Sequence, residues 1–146
     1  MAKAQDAGAA LVYGRDIALR DVDNVEAFLH ARTSRLAGAE KGSDERQLAR
    51  SVGAAVLHLT GTLRHSVSFL ESAADDNVLL LRQQVRISWN ALWALVSPWQ
   101  WHDDYDSERW RSVKYWDAAD ESRLRGLLDE TFAENRRQRS ERSDGA

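Results

Sequence analysis

The sequence contains no cysteine. Disulfides, thiolate metal sites and cysteine nucleophiles are therefore excluded. A cysteine-free chain also fits a reducing cytosol. No apolar run approaches the ~20 residues that a bilayer-spanning helix needs. The opening Met-Ala-Lys-Ala-Gln-Asp-Ala-Gly-Ala-Ala lacks the long apolar core of a secretory signal. Together these absences predict a soluble cytoplasmic protein with no membrane partner.

Charge of one sign is missing too. The net charge is −3, and residues 1–43 carry six basic and six acidic side chains. Residues 44–97 carry five of each, and residues 98–146 carry nine basic and twelve acidic, so the imbalance lies in the last third. No segment offers the one-sided positive field of a nucleic-acid binder, which argues against DNA or RNA as partner. The Arg136–Arg142 stretch could add only nonspecific affinity. There is no glycine-rich phosphate loop and no strand for one to follow, so Rossmann and P-loop readings are excluded. No His-Glu-x-x-His and no Glu-x-x-His occurs, which removes the helical zinc-protease and dinuclear carboxylate bundle readings. No metal and no cofactor is expected.

What is present is helical periodicity. At 146 residues the chain fits one domain. A first helix is predicted from about Asp21 or Asp23, where aspartates suit a helix N-terminus. Val22, Val25, Phe28, Leu29 and Leu36 follow its spacing, and Gly38 ends it. A second helix is predicted from Ser43 or Asp44 to about Ser72, with Val52, Val56, Leu59, Leu63, Val67 and Leu70 in one stripe. A third, over 76–97, is apolar over most of its circumference and so predicted to be buried. Its one polar sector holds Arg82, Gln83, Arg86, Asn90 and Ser97, with Trp93 beside it. Pro98, the only proline, ends it. Beyond lie an ordered loop over 99–106 and a short helix capped by Ser107 that holds Trp110 and Val113. A last helix starts at Asp117 or Asp120, with Leu124, Leu127, Leu128 and Phe132 on one face. The expected fold is all-α, an antiparallel bundle of three main helices with a C-terminal helical cap. The expected organisation is a mobile segment over 1–14, a single domain over 15–135 and a polar disordered tail over 136–146.

The segment from Asp75 to Trp116 holds all six tryptophans. Trp89 and Trp93 fall on the third helix and read as core. Trp99, Trp101, Trp110 and Trp116 fall on loop and short-helix ground. With Tyr105 they form either an intramolecular mini-core or a partner surface, since aromatics and arginine are what interface hot spots use. His102-Asp103-Asp104-Tyr105-Asp106 packs a histidine and three carboxylates together. It reads as a helix entry with capping acids, or as a base with an orienting carboxylate. Arg82, Arg86 and Asn90 recur at four-residue spacing, either as a clamp for an anion or as a seam paired within the protein. His58 and His65 are seven residues apart, about 10.5 Å along a helix, too far to share one zinc.

His102-Asp-Asp-Tyr-Asp-Ser-Glu-Arg-Trp110 resembles the ending of a family of short uncharacterised actinobacterial proteins, which closes with His-Pro-Asp-Tyr, two variable residues and Glu-Trp. Leu92-Trp-Ala-Leu95 is similar to the apolar run before that ending, and Val25-Glu-Ala-Phe-Leu29 to the family's opening helix. Asp103 stands where the family has proline, and Arg109 is inserted before the tryptophan. The resemblance implies no activity.

Two functions follow as expectations. The first is a non-enzymatic helical interaction or regulatory module in a bacterial or phage setting. It would bind a protein partner or a second copy through Trp99, Trp101, Tyr105, Trp110 and Trp116. The alternative is a small helical enzyme or anionic-ligand-binding protein. Its pocket would use Arg82, Arg86, Asn90 and Trp93, with His102 as base and Asp104 orienting it.

Overall fold

The computed structural model describes residues 10–144. Among them the regular structure is entirely helical, with four α-helices: α1 (Leu19–Ala37), α2 (Asp44–Leu70), α3 (Asp75–Val96) and α4 (Ala118–Asp144). Three of the four helix starts are held by a side-chain cap. The Asp21 carboxylate reaches back to the Ala18 N–H at 2.8 Å and closes the first turn of α1. Ser43 Oγ accepts from Arg46 N–H and starts α2. Asp117 Oδ1 accepts from Asp120 N–H at 2.8 Å and starts α4. Gly42 sits at φ +86° between α1 and α2, a conformation that favours glycine.

The first three helices pack together. α2 lies against both α1 and α3, and α1 also touches α3. Val22, Val25, Phe28 and Leu29 of α1 meet Val56 and Leu63 of α2 and Val85, Trp89, Leu92 and Val96 of α3. Leu11, Ile17, Trp110 and Val113 complete this core from outside the long helices. The α1–α2 seam also carries ionic pairs. Arg64 donates to Asp23 at 2.8 Å and to Glu26, while Thr60 Oγ1 donates to Glu26 Oε1 at 3.0 Å.

Three sequence expectations are corrected. The Ser107-capped helix does not form. Asp106 instead accepts from the N–H groups of Glu108 and Arg109 and makes one turn. The chain from Trp110 to Trp116 then runs without helix, because its carbonyls are claimed by side chains of α3. Trp93 Nε1 donates to Trp110 O, Trp89 Nε1 to Arg111 O, Asn90 Nδ2 to Val113 O and Arg86 Nη1 to Lys114 O. Second, α3 is not buried all round. Leu79, Leu80 and Ile87 are exposed, because α2, α1, the turn over Gly14–Asp16 and the 110–116 strap cover only part of its circumference. Third, α4 continues to Asp144, past the end near 135 that the polar composition predicts. Side-chain pairs one turn apart support it, including Arg125 to Glu121 at 2.6 Å and Gln138 to Glu134 at 3.2 Å.

The expected mobile segment over 1–14 lies mostly outside the described residues. Its described part is docked. Leu11 is buried and its N–H donates to Glu108 O, while Gly14 and Arg15 donate to Tyr115 O and Trp116 O. The approach is close: a Cβ on Gly14 would lie 2.8 Å from Trp116 Cε3.

Candidate functional site

The residues singled out by the sequence separate into three places. The first is an aromatic corner where α1 meets the turn after α3. Phe28 lies edge-on to Trp99, His102 and Trp110, with the Trp110 ring centroid at 5.1 Å. The Arg32 guanidinium lies 3.3 Å above the Phe28 ring and also faces Trp99. It donates to the His102 ring, 2.8 Å from Nε2, and Asp104 N–H approaches His102 Nδ1 at 3.1 Å. A guanidinium offers only donors, so the ring nitrogen facing it is occupied as an acceptor. Asp104 is 3.8 Å from the ring and mostly in solvent, too far to orient it by a hydrogen bond.

Trp110 lies in the core rather than on the surface. It is 5% exposed, packed edge-on to Phe28 and Tyr105, and Tyr105 Oη donates to its carbonyl. Trp99 and Tyr105 are part-buried against the core. Trp101 is the exception at 72% exposed, stacked on Trp99 with ring centroids 6.0 Å apart. Beside this corner sits a buried ion pair centred on a residue the sequence gave little reason to select. Arg109 donates to both oxygens of Asp21, at 3.0 and 2.6 Å, and to Asp16 O. The Asp21 carboxylate holds the Arg109 guanidinium above its ordinary pKa. Asp21 is visible in the sequence only as a helix-start acid, a role it also has.

The second place is the polar sector of α3. Asn90 both donates to Val113 O and accepts from Val113 N–H, at 2.8 and 2.9 Å. Arg86 is held by Lys114 O and by Gln83 Oε1. Asn90, Arg86 and Trp93 are thus occupied by the strap backbone. His102 and Arg86 have no partner in common. The structure therefore does not bring the Arg86, His102 and Asp104 set together. Arg82 is the member of the seam left over. It lines a cavity of ≈ 380 Å³ with Arg86, Tyr115, Trp116 and three residues of α4, Asp120, Arg123 and Leu124.

The third place is α4 itself. Among the described residues it packs along no other helix. Its base is tied down by Tyr13, whose hydroxyl donates to Glu121 Oε2 at 3.0 Å; that carboxylate raises the phenol's pKa. Leu124 is part-buried, but Leu127, Leu128 and Phe132 are each more than half exposed. The sequence placed these residues on one face. It could not reveal that, among the described residues, Leu127, Leu128 and Phe132 stand open to solvent.

Among the described residues no three His, Asp or Glu side chains gather as a metal site would require, and no helix is long and apolar enough to cross a membrane. Comparison with protein-family models, with curated proteins and with solved structures finds no match.

Proposed function

We propose that the protein is a non-enzymatic helical interaction module that pairs with a second copy of itself through α4. The observation that carries this reading is a 27-residue helix whose apolar residues Leu127, Leu128 and Phe132, beyond the part-buried Leu124, are exposed and packed against no other helix among the described residues. A helix in a protein owes most of its stability to packing an apolar face. The short connections on either side of α2, over 38–43 and 71–74, support reading α1 to α3 as an antiparallel bundle. In that reading α4 is an arm about 40 Å long rather than a cap.

Charge chooses the occupant and its direction. The first half of α4 and its cap carry Asp117, Asp120, Glu121, Asp129 and Glu130 against Arg123 and Arg125, a net negative charge. The second half carries Arg136, Arg137, Arg139 and Arg142 against Glu134, Glu141 and Asp144, a slight positive one. A parallel pair would stack acid on acid and base on base. An antiparallel pair with Leu128 at the two-fold axis sets Leu124 opposite Phe132 of the other copy. It also brings the acidic start of one helix beside the basic end of the other. Flanking charges of this kind set partner and orientation in paired helices. The apolar stripe covers little more than two turns, which fits a reversible dimer better than an obligate one. Of the tryptophan-rich surface, Trp101 remains free to extend such an interface.

Sedimentation equilibrium tests the reading. The full chain should pass from 16.5 kDa toward twice that mass as concentration rises. Leu128→Asp, at an exposed position, should keep it at the lower mass, and added salt should weaken association. A wild-type chain that stays monomeric throughout, or a dimer indifferent to Leu128→Asp, overturns the proposal.

A further inference from the structure

The cavity between α3 and the first turns of α4 is lined by cations whose hydrogen-bonding capacity the fold only partly uses. Arg86 is occupied, by Lys114 O and Gln83. Arg82 is engaged only by a long ion pair, its Nη2 4.0 Å from Asp117 Oδ2, and by the Trp116 ring, while its Nε is buried without a hydrogen-bond partner. Arg123 makes no hydrogen bond or ion pair among the described residues. The lining thus holds three guanidinium groups against one carboxylate, Asp120, with Asp117 paired to Arg82 at 4.0 Å. Apart from Gln83, its remaining walls are apolar or aromatic: Leu79, Leu124, Trp116 and Tyr115. The volume of ≈ 380 Å³ falls within the range of small-ligand sites.

We infer that this cavity binds a small organic phosphate, its oxygens between Arg82 and Arg123 and its flat apolar body against Trp116. Two guanidinium groups that make no hydrogen bond among the described residues match a dianion, and the planar fork of each suits phosphate oxygens. The Arg82 guanidinium already lies 5.7 Å from the Trp116 ring centroid, so anion and ring subsites adjoin. Because the lining joins α3 to α4, an occupant ties the base of the arm to the bundle. The inference is independent of self-pairing, since the cavity is formed within one chain.

Isothermal titration of the full chain with inorganic phosphate and with phenyl phosphate provides the test. Both should bind saturably at one site, phenyl phosphate about tenfold tighter, the ratio one aromatic contact supplies. Arg82→Gln and Arg123→Gln should each weaken both ligands by about tenfold or more, the loss of a charge-assisted hydrogen bond. Arg137→Gln, remote on the same helix, should change neither. Arg123 makes no hydrogen bond or ion pair among the described residues, so its variant should fold as the wild type does. No saturable heat at millimolar phenyl phosphate, or binding that survives both substitutions, overturns the site. Equal affinity for the two ligands overturns the aromatic subsite.

Discussion

Asp21 shows how much a single side chain can be asked to do. Its carboxylate closes the first turn of α1 and receives both arms of Arg109 from 88 residues away in sequence. The pair is almost wholly withdrawn from water, so removing one partner leaves a charge with little to solvate it. Asp21→Ala should cost about 3–5 kcal/mol, measured by urea unfolding. A loss below 1 kcal/mol would mean water reaches the site. Glu26 makes a pH-dependent contribution instead. Its carboxyl is held below the ordinary range, first by the hydrogen bond from Arg64. A carboxyl depressed in the folded state stabilises fully above its unfolded pKa and loses that contribution as pH falls through the folded one. Stability should therefore decline as pH drops below about 4.5, the ordinary value for a glutamic acid. Glu26→Gln should flatten that decline, and an unchanged pH profile in this variant would contradict the assignment.

Among the elements, the 110–116 strap is the least expected. Side chains of α3 take its carbonyls at 110, 111, 113 and 114, and the N–H groups of Gly14 and Arg15 take those of Tyr115 and Trp116. Asn90 makes the pairing mutual at Val113, a buried residue. Asn90→Ala should cost about 1–3 kcal/mol in the same unfolding experiment, because it leaves buried backbone groups unsatisfied. An effect near zero would mean that water replaces the amide. The sequence shows why this element is hard to foresee. Helices α1 to α3 announce themselves by apolar spacing, with Ser43 and Gly38 marking ends. The strap has no period of its own; its conformation is imposed by Asn90, Trp89 and Trp93 from a different helix. The polar sector of α3 was legible as a sector, and pairing within the protein was one of its two readings, but the backbone that claims it was not. In the same way Arg109, one residue from Trp110, gives no local hint that its partner is Asp21.

At the scale of the whole molecule, the protein divides into a packed three-helix core and a helix that extends its apolar face into solvent. Leu127, Leu128 and Phe132 on α4, with Leu80 and Ile87 on α3, are surfaces that sequence pattern assigns to a core. Pattern identifies an apolar face but cannot say whether its cover comes from the same chain. Self-pairing of α4 resolves that for the arm, and its direction is the most specific consequence. In an antiparallel pair centred on Leu128, positions 124 and 132 of opposite copies face each other. Positions 124 and 124 then lie about 12 Å apart along the axis, too far for a disulfide. The chain has no cysteine, so introduced ones report without interference. The measurement is oxidative cross-linking of a Leu124→Cys chain mixed with a Phe132→Cys chain, against each chain alone. The account predicts a disulfide-linked dimer in the mixture and none in either chain alone. No cross-link in the mixture, or cross-links within the single-variant samples, would contradict it.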